Sequence, residues 1–114
     1  MANHINIHPA PGTWTVRAGG AVLGETDNAL ALAEGDYAEV IYFPRKDLAM
    51  AFLDESDSTS VCPHKGTARY FSIVTKSTTL KDAAWSYEDP KDEVSAIADH
   101  IAFVQSETVT VEEV

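Results

Sequence analysis

The chemically densest stretch of the chain is Cys62-Pro63-His64-Lys65-Gly66-Thr67-Ala68-Arg69-Tyr70, which sets a thiol, an imidazole, an ammonium and a phenol close together. Pro63 fixes one backbone dihedral and Gly66 permits a positive one, so the chain between them can turn tightly and aim Lys65 in a set direction. The plainer alternative is a β-turn whose polar residues face water. Lys65 or His64 could also lower the pKa of Cys62 and make it a nucleophile. Adjacency in sequence does not bring side chains together, however, and a free cysteine is more often buried packing.

Two further clusters carry polar groups beside aromatic ones. In Asp82-Ala83-Ala84-Trp85-Ser86-Tyr87-Glu88-Asp89-Pro90 a strand would place Ala83, Trp85 and Tyr87 on one face, with room beside the rings for a shallow aromatic pocket. The alternative is that Trp85 is core and Tyr87 a half-buried neighbour. In Tyr42-Phe43-Pro44-Arg45-Lys46-Asp47 an apolar strand delivers a phenol and a guanidinium to a helix start, a setting suited to anions. Arg45 could equally be a surface residue paired with an acid.

The elements that must position these groups are short. His4 to His8 alternates polar and apolar residues before Pro9, Pro11 and Gly12 stop it. Thr13 to Arg17 and Ala21 to Glu25 form a hairpin across Gly19-Gly20. Ala29 to Glu34 has helical composition but strict alternation, and is read as a strand. Ala38 to Phe43 is a β-rich run ended by Pro44. Leu48, Ala51 and Phe52 have helical spacing and predict two turns of helix from Arg45 to Leu53. Asp54 to Ser58 reads as a solvated loop, Ala68 to Thr75 and Leu80 to Tyr87 as strands. Asp89-Pro90-Lys91-Asp92 has the form of a capped helix start, with Val94, Ile97 and Ile101 as its buried stripe. Ile101 to Val104 and Thr108 to Val111 close the chain as strands. The expected fold is mainly β: a small antiparallel sheet, folded over or closed as a barrel, with two short helices.

Composition bounds the function. A chain of 114 residues is one domain, 1–114, with no linker or repeat. A formal net charge of -10 repels a phosphate backbone, so no nucleic-acid partner is expected. No apolar run reaches the ~20 residues a membrane span requires. The single cysteine cannot form an intramolecular disulfide, and Met1-Ala2-Asn3-His4 lacks the features of an export signal; a reducing cytoplasm is the expected location.

The three clusters together resemble a known family. Tyr42-Phe43-Pro44-Arg45-x-Asp47, Cys62-Pro63-x-Lys65-Gly66-x-Ala68-x-Tyr70 and Asp82-Ala83-Ala84-Trp85-x-Tyr87-x-x-Pro90, followed by Ile101-Ala102-Phe103, are similar to the motifs of a small uncharacterised family from bacteria and fungi, labelled as of unknown function and in places as nucleotidyltransferase. The likeness runs from about Trp14 to Val111. It implies a β-tent domain related in shape to Mss4-like proteins, and no particular activity. The family's characteristic positions fall on Tyr42, Pro44, Asp47, Cys62, Lys65, Gly66, Tyr70, Trp85 and Tyr87. An aromatic residue, often Trp, usually follows the tyrosine of the second motif in that family, and here it is Phe71.

Relatives in that fold bind zinc through paired Cys-x-x-Cys motifs, and a chain with one cysteine cannot build such a site. His4, Asn6 and His8, or Cys62 and His64, are isolated pairs; no metal or cofactor is expected. Nucleotidyl transfer calls for metal-holding carboxylates and usually a glycine-rich phosphate loop. Asp47, Asp82, Asp89 and Asp92 are present, but no such loop is. Two functions remain open. In one, Lys65, with Arg17 or Arg45, holds the negative group of a small ligand against a wall of Tyr70, Trp85 and Tyr87, with Tyr42 and Cys62 nearby. In the other, the domain is a non-catalytic interaction or structural module whose motifs maintain turns and core and which pairs through an exposed apolar strand at either terminus, a homodimer being one form of it.

Overall fold

The computed structural model describes residues 4–114; Met1-Ala2-Asn3, read above for export character, lie outside the described residues. Ten strands account for most of the chain: β1 (Ile5–Pro9), β2 (Trp14–Ala18), β3 (Ala21–Thr26), β4 (Leu30–Glu34), β5 (Val40–Pro44), β6 (Leu53–Cys62), β7 (Gly66–Val74), β8 (Thr79–Ser86), β9 (His100–Phe103) and β10 (Val109–Glu113). Seven form one antiparallel sheet in the order β1-β4-β5-β9-β8-β7-β6, and the other three form a second in the order β10-β2-β3. Neither closes into a barrel.

Strand alternation explains how the large sheet buries both faces. Neighbouring side chains point to opposite sides. Phe43, Ile101, Phe103, Phe71 and Ile73 therefore join a core with Val16, Ala18, Leu23 and Val109 of the small sheet. Their neighbours Tyr42, Ala102 and Ala68 face the other way, into a second core with Leu32, Tyr87, Val94 and Ile97. Among the described residues no second sheet covers this other face. It is closed by the segment around Val94 and Ile97 and by the sheet folding over on itself.

The helical expectations are corrected. Arg45 to Leu53 is two separate 3-10 turns, Arg45–Asp47 and Met50–Phe52. Leu48 interrupts them by extending to bridge Gly24, and the Ala49 amide donates to the Leu23 carbonyl at 2.7 Å. Pairing with β3 outcompetes local helical spacing. Downstream, a kinked 3-10 segment covers Asp92–Ile97 with no side-chain cap, so Asp89 does not cap it. Val94 and Ile97 are buried as expected, whereas Ile101 belongs to β9 and the opposite core.

Residues Asp54 to Ser58, read as a loop, are part of β6. They show little alternation because β6 is the sheet edge, largely exposed along its length, and its register with β7 shifts between Glu55 and Thr59. A second irregularity sits on β8: Asp82 has φ 53°, opposite the register shift between Phe71 and Ile73. This bulge places Ala83 in the first core, not on the face of Trp85 and Tyr87.

Candidate functional site

The Cys62–Gly66 segment is the turn of the β6–β7 hairpin. The Lys65 amide donates to the Cys62 carbonyl at 3.2 Å, and the Lys65 carbonyl accepts from the Lys91 amide at 3.0 Å. Gly66 has φ 116°, a conformation L side chains rarely adopt. Its open side faces the Asp89 carbonyl, which would lie 3.4 Å from a Cβ. The turn is thus braced by the 89–91 segment, and it directs Lys65 inward.

Lys65 enters a pocket of about 340 Å³ on the second face of the large sheet. Leu32 and Glu34 come from β4, Val40 and Tyr42 from β5, Tyr70 from β7, Trp85 from β8 and Tyr87 from just beyond it. Tyr37 and Ala38 of the β4–β5 loop and Val104 after β9 complete the lining. All four tyrosines of the chain meet here. Trp85 Nε1 donates to the Tyr42 hydroxyl at 3.3 Å, with the two rings edge to face. The hydroxyls of Tyr70 and Ser60 share a hydrogen bond of 3.0 Å.

The polar centre of the pocket is an ion pair. Lys65 Nζ lies 2.7 Å from Glu34 Oε1, the two side chains being 12% and 23% exposed. The ammonium also sits 5.9 Å from the Tyr87 ring centroid. On the outer side, His4 Nε2 lies 3.4 Å from Glu34 Oε2, and the His4 ring meets the His64 ring edge to face. The pair therefore ties β4 to the distant β6–β7 turn and holds the sheet folded.

These contacts set the protonation states. Hydrogen bonding to Lys65 lowers the Glu34 pKa against an opposing burial effect. Burial pulls Lys65 down, but the Glu34 hydrogen bond and charge, the Tyr87 phenol and the Cys62 thiol more than offset it, so its pKa is raised. Burial pushes the Tyr42 phenol up to about 12 and raises Tyr87 as well. At neutral pH the pocket accordingly presents the Lys65 ammonium, the Glu34 carboxylate and the protonated phenols of Tyr42 and Tyr87. It offers the ammonium as a donor, the carboxylate as its one anionic acceptor and hydroxyls that can do either, and no free amine nucleophile.

Of the residues singled out on sequence, Tyr42, Lys65, Tyr70, Trp85 and Tyr87 are brought together. Cys62 is half-buried against the second core and does not line the pocket. Arg45 lies elsewhere: its Nη2 donates to Ser86 Oγ at 3.1 Å and Glu88 Oε2 at 2.5 Å, and the guanidinium covers Phe71 of the first core. Arg17 sits on the small sheet, paired with Glu112 of β10 at 2.5 Å. Both arginines stand out by charge, and both are occupied by acids remote in sequence.

Glu34 and Tyr37 are the polar lining residues that sequence reading missed, along with the apolar Leu32, Ala38, Val40 and Val104. Alternation along β4 places Leu30, Leu32 and Glu34 on one side, and that period was the available signal for Glu34. Tyr37, 80% exposed in a loop, had none.

Two of the four aspartates considered for metal binding, Asp47 and Asp82, have structural partners. Asp47 Oδ2 accepts from Thr26 at 2.7 Å, fastening the first 3-10 turn to β3, and Asp82 Oδ2 accepts from Ser58 at 2.7 Å. Among the described residues, no three His, Cys, Asp or Glu gather in a way that could hold a metal ion. Among them, too, no helix is long and apolar enough to cross a membrane.

A comparison with curated proteins gave no match. Residues 6–114 match the family described as a domain of unknown function (DUF427), and the chain belongs to that family.

Proposed function

We propose that the domain binds a small, largely apolar and planar molecule in the tyrosine-lined pocket, with a polar head group hydrogen-bonded to Lys65. The observation that carries this reading is convergence. Five residues that the sequence singles out in three separate motifs line one concave surface, and aromatic walls with a few fixed polar groups are the usual make-up of a small-molecule site. The anionic head group expected from sequence is tempered by Glu34, whose carboxylate offsets the ammonium's charge. Lys65 still has two N–H donors beyond the one given to Glu34.

Thermal-shift screening of a broad small-molecule collection tests the proposal, because a ligand selective for the folded state raises the melting temperature by mass action. Hits that shift the wild type and lose that shift in Lys65→Ala and Trp85→Ala are the expected result. A screen in which no hit depends on either residue would remove the basis for the reading.

The interaction-module alternative has one observation in its favour. The edge strand β6 is exposed and ends near Val61, which is 76% exposed. A module that recruits a strand partner there would show concentration-dependent mass in sedimentation, altered by Val61→Lys and indifferent to Trp85→Ala.

A further inference from the structure

The charge balance of the pocket narrows what it can hold, given that it binds a small molecule as proposed above. An organic cation would suit the aromatic walls, but the Lys65 ammonium already lies over the Tyr87 ring and would repel a second cation. An anion on Lys65 would stand beside the Glu34 carboxylate, 2.7 Å from the same ammonium, and the chain's net charge of -10 opposes its approach. A neutral ligand meets neither penalty.

What the pair offers a neutral ligand is a donor beside an acceptor. Lys65 Nζ and Glu34 Oε1 are 2.7 Å apart, both on the pocket wall. A cis amide presents the complementary edge: its carbonyl oxygen and N–H nitrogen are roughly 2.2 Å apart by standard bond lengths, pointing the same way. The oxygen can accept from the ammonium while the N–H donates to the carboxylate, two charge-assisted hydrogen bonds in one plane. Cis geometry in an amide is cheap only when a ring enforces it. Trp85 and Tyr42, fixed edge to face, supply flat apolar contact for that ring. A volume of about 340 Å³ suits one or two fused rings. The geometry points to a neutral, planar cyclic amide as the ligand class, its amide edge bridging Lys65 and Glu34 and its ring lying against Trp85.

Quenching of Trp85 fluorescence by three probes of matched size tests this: quinolin-2-one, its N-methyl derivative and 2-naphthoate. The titrations use the wild type and Trp14→Phe, which leaves Trp85 as the only indole. Quinolin-2-one is expected to bind at least about tenfold more tightly than either other probe, the ratio sustained by one hydrogen bond to a charged group. A smaller ratio to the N-methyl compound would show that the N–H has no acceptor. Equal or tighter binding of 2-naphthoate would show that the pocket selects negative charge. Either result overturns the cyclic-amide assignment and leaves the pocket reading intact. Quenching by none of the three overturns the assignment, and it overturns the pocket reading too when the broad screen also yields no Lys65-dependent hit.

Discussion

Lys65 and Glu34 change each other: the carboxylate keeps the amine protonated, and the ammonium keeps the carboxyl ionised. A double-mutant cycle on Lys65→Met and Glu34→Gln is expected to give a coupling of about 1–2 kcal/mol in urea denaturation, above the range of exposed pairs because both groups are mostly buried. Tyr42 supports the pocket differently. Its buried hydroxyl accepts from Trp85, and Tyr42→Phe is expected to cost about 1 kcal/mol. The same substitution removes the phenol that ionises at about 12 in an ultraviolet pH titration. Single residues were legible in sequence where type and local spacing sufficed. Lys65 was visible because Pro63 and Gly66 flank it, and Trp85 and Tyr87 because they are two apart. Arg17 and Arg45 misled because their partners, Glu112 and Glu88, lie 95 and 43 residues away.

At the scale of elements, the turn that aims Lys65 depends on one backbone conformation. Gly66→Ala forces a Cβ into a positive-φ position facing the Asp89 carbonyl, and a loss of about 1–3 kcal/mol is expected in the unfolding midpoint. Gly20→Ala is the control: its added methyl would meet nothing within 4 Å and its φ is not positive, so stability should be unchanged or slightly higher. Burial on one side writes alternation into the sequence, as in β2, where Val16 and Ala18 are buried and Arg17 is exposed; β4 buries Ala31 on one face and Leu32 on the other, and was legible through its strict alternation of Leu and Ala. At Asp54 to Ser58 the edge strand buries little, so its polar residues looked like loop. The two expected helical stretches are present as 3-10 turns: the Leu48 bridge to Gly24 splits the first, and a non-helical backbone at the buried Val94 kinks the second.

For the whole molecule, the ionisable groups of the pocket define a pH window. Glu34 is depressed, so its contribution is complete above the unfolded value near 4.5 and is lost as pH falls through the lower folded value. Lys65 is raised, so its contribution is complete below 10.5 and is lost as pH rises through the folded value. Tyr42 adds to the alkaline limb, where the unfolded chain ionises from 10.0 and the folded one at about 12. Denaturation midpoints should therefore be level between these limits, and Lys65→Met should flatten the acid limb by returning Glu34 toward its ordinary value. The surplus of acid has a further consequence at the open margin of the large sheet. Among the described residues no strand lies beyond β6, and Asp54, Glu55 and Asp57 stand exposed along that margin. Their mutual repulsion between copies keeps the strand from templating on itself. Acidification that neutralises them should seed thioflavin-binding fibrils, and Asp54→Asn with Asp57→Asn should bring the onset to a higher pH.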